Sequence, residues 1–239
     1  TGRETFLLPV DWVDGWPRIL PQGERIPFRA LRPDLPPADP PPVPTTGNFT
    51  VRDEFDGPGL PPYWLMIRTP GERWYDLGAH PGALTLRARP RTLGGGGQPS
   101  FVGRRQQHTN ATATTVMTYA PERAGDRAGI AAFQNDDFYY LMSVSLVEGR
   151  RVIQLHRAAG RGQGARPELV ASEPLDAAPG APLFLRVRAR ADRYDFLYGS
   201  EPGSWTPLYA GADGTVLSTG TAGGFVGVTI GLYAGAGAP

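Results

Sequence analysis

The sequence of 239 residues contains no cysteine and no lysine. Without cysteine there are no disulfides, no thiol nucleophiles and no thiolate-held metals, although the compartment stays open because many secreted bacterial proteins also lack disulfides. Without lysine, Schiff-base chemistry and a lysine general base are excluded, and all 24 basic side chains are arginine. Charge of one sign is also missing: 24 basic against 23 acidic residues leave a formal net charge of +1, which supplies no drive toward nucleic acid or a membrane surface. No apolar run reaches the roughly 18 residues that a membrane-spanning helix needs. No leader-like segment and no initiator Met open the chain, and Thr1 falls in what reads as the middle of a strand, so the chain reads as a fragment or a processed product. What remains, 40% hydrophobic and 20% charged residues, is the make-up of an ordinary globular protein. The length suits one large all-β domain or two small ones.

Proline and glycine divide the chain. Residues 5–12 form an apolar run that ends in the turn-rich Asp14-Gly15-Trp16-Pro17, and as an isolated strand it would leave Trp12 and Trp16 on an orphan edge. Between Ile26 and Pro44 lie eight prolines, which fix φ and remove donors, so the stretch should be extended and unable to join a sheet ladder. The expected division is 1–25 as a terminal segment of another domain, 26–47 as a Pro-rich linker and 48–239 as one domain. Over that last span short β-type runs recur at 49–55, 83–88, 100–108, 112–119, 128–134, 138–145, 151–156, 183–190, 194–198 and 224–233, with clean alternation at 49–55, 83–88 and 183–190 and a hairpin about Asn135-Asp136-Asp137. With Gly and Pro punctuation and no sustained helical period, they predict an all-β fold, a two-sheet antiparallel β-sandwich of the concanavalin-like jelly-roll kind. On the 183–190 strand, Arg186, Arg188 and Arg190 share one face.

The strand at 100–108, SFVGRRQQH, follows the glycine run Gly94 to Gly97. That run lacks a following Lys and leads into a strand, so it is no phosphate loop. Alternation puts Phe101, Gly103, Arg105 and Gln107 on one face and Val102, Arg104, Gln106 and His108 on the other. Neither set is plainly hydrophobic. The strand therefore reads either as the floor of a polar groove, where planar Arg and Gln donors suit sugar hydroxyls, or as a solvated strand whose arginines pair with neighbouring acids. Glycoside hydrolysis needs two positioned carboxyl groups. Asp53-Glu54 and Asp136-Asp137 are adjacent pairs whose side chains would point to opposite faces of a strand, so no catalytic residue is assigned. His80, His108 and His156 are far apart in sequence, and no metal ligand set is assigned either. A structural calcium at Asp53 and Asp56 is the one ion the residues admit.

Residues 101–108, the Phe133-Gln134-Asn135 hairpin and the closing run 223–234 resemble the C-terminal β-sandwich of glycoside hydrolase family 43 β-xylosidases and α-L-arabinofuranosidases. Residues 2–17 are similar to the segment that finishes the five-bladed catalytic propeller of that family. The resemblance implies a non-catalytic sandwich whose partner is the propeller, with the catalytic Asp, Glu and Asp lying in the propeller and none transferable to this chain. It implies that a loop of the sandwich adds an aromatic wall to the sugar pocket, with Phe101 as the best match and exposed at the rim. Arg104, Arg105, Gln107 and His108 would join it toward a xylo- or arabino-oligosaccharide. Because an unpaired buried guanidinium costs several kcal/mol, one of the two arginines is expected in a buried hydrogen-bonded network with acidic or tyrosyl partners and the other lining an open groove. The rival reading is a stand-alone carbohydrate-binding module acting through the Arg104/Arg105 groove. With no usable carboxylate pair, the chain alone is expected not to hydrolyse aryl xylosides or arabinosides. Turnover that disappears when an acid within this chain is mutated would contradict that expectation.

Overall fold

The computed structural model describes residues 6–27, 29–37, 39, 43–44, 47–160 and 166–237. The chain divides into two compact units, Glu4–Asp53 and a larger one built from Glu54–Pro239. In the smaller unit, β1 (Asp11–Val13) and β2 (Trp16–Arg18) pair antiparallel. Asp14 and Gly15 close the hairpin with φ of 50° and 79°, the left-handed geometry that a tight two-residue turn demands. Phe6, Trp12 and Trp16 are all exposed. No described residue between 19 and 64 belongs to a strand or helix. The strand expected at 49–55 is therefore not formed, and Phe55, with φ at 55°, closes off any extended run there.

The larger unit is an antiparallel sandwich. After the short β3 (Leu65–Met66), β4 (Tyr75–Asp76) and β5 (Thr85–Leu86) come β6 (Ser100–Arg105), β7 (Ala111–Thr118), β8 (Arg127–Asn135), β9 (Phe138–Val147) and β10 (Arg150–Ala159). They are followed by β11 (Glu168–Pro174), β12 (Pro182–Arg190), β13 (Arg193–Gly199), β14 (Thr206–Asp213), a single helical turn α1 (Thr219–Ala222) and β15 (Thr229–Gly235). One sheet has the order β11-β10-β9-β8-β15-β6-β3 and the other β14-β13-β12-β7. The strands β11 and β14 carry no alternating apolar signal. Both lie at sheet edges, where little side-chain area is buried and the pattern weakens.

Two apolar layers sandwich the larger sheet. Between the sheets, Ile130, Tyr140, Met142, Ile153 and Leu155 meet Leu185, Val187, Phe196 and Leu217. On the opposite face of the same sheet, Phe101, Phe133, Tyr139, Leu141 and Tyr233 pack with Leu93 and Ile67 from the segment before β6. Because both faces are covered, β9 is buried from Phe138 to Ser145 without interruption, as a strand inside a double layer must be. β12, by contrast, alternates strictly: Leu183, Leu185, Val187 and Ala189 are buried, and Arg186, Arg188 and Arg190 face out.

The outer layer also buries polar groups. His156 on β10 is 8% exposed. Burial, with the Arg127 charge adding to it, lowers its pKa from 6.5 to about 4. Between those values the unfolded chain binds a proton that the folded chain refuses, so stability is fully present above 6.5 and declines as pH falls toward about 4. The loss amounts to up to about 3 kcal/mol. Urea unfolding of His156→Gln should accordingly show a smaller drop in stability between pH 7 and pH 4.5 than the parent chain. Identical drops would show that His156 is not the acid-sensitive group.

Candidate functional site

Strand β6 obeys the expected alternation but ends at Arg105, three residues early. Phe101, Gly103 and Arg105 face the outer layer, and Val102, Arg104 and Gln106 the other side. Phe101 is 1% exposed, which corrects the expectation of an aromatic standing at a rim; it presents no surface to a sugar. The reason lies in the glycines. Gly103 on β6 stands directly opposite Gly231 on β15, and a Cβ on either would come within 2.9 Å and 2.6 Å of the Phe101 ring tip. The ring lies in the trough that the two glycines leave, 5.6 Å from Phe133.

The two arginines separate. Arg104 is half-buried with its guanidinium 4.5 Å from the centre of the Tyr63 ring. Arg105 is exposed, and its Nη1 donates to the Gly227 carbonyl at 2.8 Å. Arg104 is thus the more enclosed of the two and has a tyrosyl partner, while Arg105 is the outward one. Gln107 is exposed and His108 half-buried beyond the strand end. The glutamine that the fold uses is Gln106, which accepts from Tyr194 Oη at 2.6 Å and donates from Nε2 to the His108 carbonyl at 2.8 Å. Phe101, Arg104, Arg105, Gln107 and His108 are thus not gathered on one surface. Among the described residues no group of three or more His, Asp or Glu side chains comes together as a metal site.

A different element brings polar anchors and an exposed aromatic together. The run expected as one strand over 224–233 begins pairing only at Thr229. Its first part is a loop, because Gly223 and Gly224 adopt φ of 77° and 73°, a left-handed pair that swings the chain out of the extended path. Phe225 at the loop tip is 69% exposed. The backbone on either side is held firmly. Gln134 Nε2 donates to the carbonyls of Gly223 at 2.9 Å and Val226 at 3.4 Å, and Asn135 Nδ2 to Ala222 at 3.3 Å. Arg105 grips Gly227 as described, and the Gln106 amide donates to Val228 at 2.9 Å. The glycine doublet was the signal in the sequence that a strand reading of 224–233 passes over.

Gln134 also lines a shallow open groove of about 400 Å³ with Ile67, Arg68, Phe133, Asn135, Asp136 and Asp137. Arg68 pairs with Asp136 at 2.5 Å and donates from Nη1 to the Gly97 carbonyl at 2.7 Å, tying the glycine run to the β8–β9 turn. That turn is formed by Asn135 Oδ1, which accepts from the Asp137 amide at 3.0 Å. Gly94 allows the approach, since a Cβ there would lie 2.7 Å from the Asp136 carbonyl oxygen. Arg68, Asp136 and amide side chains along an apolar floor can offer charge-assisted and neutral hydrogen bonds to a polyhydroxylated molecule.

Residues 52–238 match the family described as the β-xylosidase C-terminal concanavalin A-like domain. Among curated proteins, a non-reducing end α-L-arabinofuranosidase of Bacteroides ovatus is 30% identical over 98% of this chain and 41% of its own length. A xylan 1,3-β-xylosidase of Vibrio sp. is 27% identical over 91% of this chain and 38% of its own length. The chain therefore spans less than half the length of these relatives. A solved Bacillus halodurans xylan β-1,4-xylosidase superposes with a TM-score of 0.80 at 26% identity, covering 98% of this chain and 44% of that one.

The anchoring of the loop is testable by itself. Gln134→Leu removes the donor to two loop carbonyls, so amides 223–228 should exchange with deuterium at least several-fold faster while the strands keep their protection. Global stability should fall by about 1 kcal/mol. Unchanged exchange in the loop would show that Gln134 does not hold it.

Proposed function

The chain belongs to the β-xylosidase C-terminal concanavalin A-like domain family of glycoside hydrolase family 43, and on that premise we propose that it is the accessory sandwich that braces a catalytic propeller and completes one wall of its sugar pocket. The observation that carries the reading is the anchored loop with Phe225 at its tip. A large exposed aromatic is unfavourable in water, and ordering its backbone with several hydrogen bonds makes sense where a partner surface receives it. The aromatic wall first sought at Phe101 is assigned to Phe225. The groove beside it, with Arg68 and Asp136 in its wall, would meet the part of a xylo- or arabino-oligosaccharide that projects from the propeller pocket. The exposed Trp12 and Trp16 hairpin fits the end of a propeller blade, with 26–47 as the linker to a sandwich over 48–239.

In this reading the chain performs no bond cleavage. Its part is positional: an apolar ring excludes water from one side of the bound sugar and fixes its orientation, which acts on the barrier through geometry. In an enzyme containing both this chain and its propeller, Phe225→Ala should lower kcat/KM on aryl xylosides or arabinosides by about tenfold, as loss of one positioning contact does. The unfolding midpoint should stay within a few degrees, because Phe225 contributes nothing to the buried core. Unaltered kinetics would refute the pocket role and leave the domain a brace alone.

A further inference from the structure

The outer face of the four-stranded sheet holds a second constellation, on the opposite sheet from the one the Phe225 loop leads into. On this face Phe184, Arg186 and Arg188 of β12 stand in register with Val116, Thr114 and Thr112 of β7 and with Gly199, Leu197 and Asp195 of β13. The outward arginines are not equivalent. Asp195, 3% exposed, accepts from Arg188 Nε at 3.0 Å and Arg190 Nη2 at 2.7 Å, and its other oxygen takes the Gly211 amide at 2.8 Å. One carboxylate thus serves two guanidinium groups. Arg186 has no carboxylate. Its Nε donates to Thr114 Oγ1 at 3.0 Å and its guanidinium carbon lies 3.8 Å from the centre of the Trp205 ring. Among the described residues nothing accepts from its two Nη groups. Burial and the adjacent Arg188 charge both lower its pKa, so the site favours an anion beside it.

We propose that this face binds a polysaccharide carrying carboxylate sugars, with Arg186 as the group that receives the carboxylate. Stacking on Trp205 holds the guanidinium plane, and a pre-oriented planar fork matches a carboxylate with two parallel hydrogen bonds. The charged neighbour of Arg186 along the strand, Arg188, is already engaged by Asp195, and the register partners of Arg186 across the sheet, Thr114 and Leu197, are neutral. Thr112 and Thr114 are exposed along β7, spaced about 7 Å apart as alternate strand residues are, and each hydroxyl both donates and accepts. Trp205 adds aromatic surface. A nucleic acid would require many more phosphate-facing cations than a chain of net charge +1 supplies. An acidic protein would present a cluster of carboxylates, whereas two of the three outward arginines already share Asp195 and Arg186 is the one without a carboxylate. One carboxylate among many hydroxyls is the pattern of a uronate residue in an otherwise neutral glycan. That the ligand is a glycan rests on the proposed function; the carboxylate site at Arg186 rests on the geometry alone.

Calorimetric titration of the full chain with a xylo-oligosaccharide bearing one glucuronate branch, and with the undecorated oligosaccharide, tests the proposal. The acidic ligand should bind about tenfold more tightly, the scale of a charge-assisted pair at a partly exposed site. Arg186→Gln should abolish that preference and Trp205→Ala should reduce it, whereas Phe225→Ala should leave it intact. Should Arg186→Gln fail to fold, Arg186→Lys keeps the charge without the fork and is expected to lose most of the preference. Equal or absent binding of the two oligosaccharides would overturn the proposal, as would a preference that survives at position 186 in either variant. Loss of the preference in Phe225→Ala would place the acidic group at the other site and refute this one. Competition by polyglutamate as strong as by the uronate ligand would mark a protein-binding face instead. The Phe225 kinetics and the Arg186 preference are read on different variants, so either can fail without the other.

Discussion

A sheet packed on both faces leaves no side free for solvent-facing residues, and most of this domain follows from that constraint. Across β6, β15 and β8 one row of the outer face runs Gly103, Gly231 and Ala131. The small row makes a trough, and the rings of Phe101, Phe133, Tyr139 and Tyr233 fill the layer around it. Large side chains in that row would collide with rings already at close-packed distance. The same double layer is why β9 from Phe138 to Ser145 and the middle of β8 from Ala128 to Phe133 are buried on both faces.

Covering the outer face also forces polar groups inside, and the fold meets most of them with specific partners. Tyr140 donates to the Asp213 carbonyl at 3.1 Å, Tyr194 to Gln106 at 2.6 Å and Tyr233 to the Arg91 carbonyl at 3.1 Å. Burial raises the Tyr194 and Tyr233 phenols to about 12, so both stay neutral donors. The Tyr140 phenol joins β9 to β14 across the core, and the Tyr194 phenol joins β13 to the end of β6. Tyr233 in particular fastens the segment before β6, which caps the outer layer through Leu93. Asp195 is the charged counterpart. Burial pushes its carboxyl up, but the Gly211 amide and the Arg188 and Arg190 guanidinium groups outweigh burial and its pKa is lowered.

Function then falls to what the packing leaves outside. The Phe225 loop is exposed yet its backbone is held by Gln134, Asn135 and Arg105, so rigidity comes from the sheet while the contact surface stays available. On the other sheet, β12 buries its aliphatic face and turns three arginines outward, two of them sharing the Asp195 carboxylate. In both proposed sites a rigid strand would supply the geometry and a side chain left over from the core the contact, an arrangement that favours precise binding over mobility.

The sequence by itself determined the class of fold, the strands with strong alternation and the family. The run 183–190 shows its buried and outward faces residue by residue, because a half-buried strand records its environment with period two. The hairpin around Asn135 and the signature strand were equally legible. Edge strands β11 and β14 were not, since they bury too little to leave a pattern. Tertiary structure alone decided the site. Whether Phe101 faces a pocket or a core depends on what covers the outer face, and that cover comes from Ile67 and Leu93, both outside the strand itself. Nothing local in 100–108 records it. Likewise only the pairing of β12 with β13 shows that Asp195 satisfies Arg188 and Arg190 and passes over Arg186. Local sequence sets which way a side chain points; which partner it meets is set by segments that fold back from a distance.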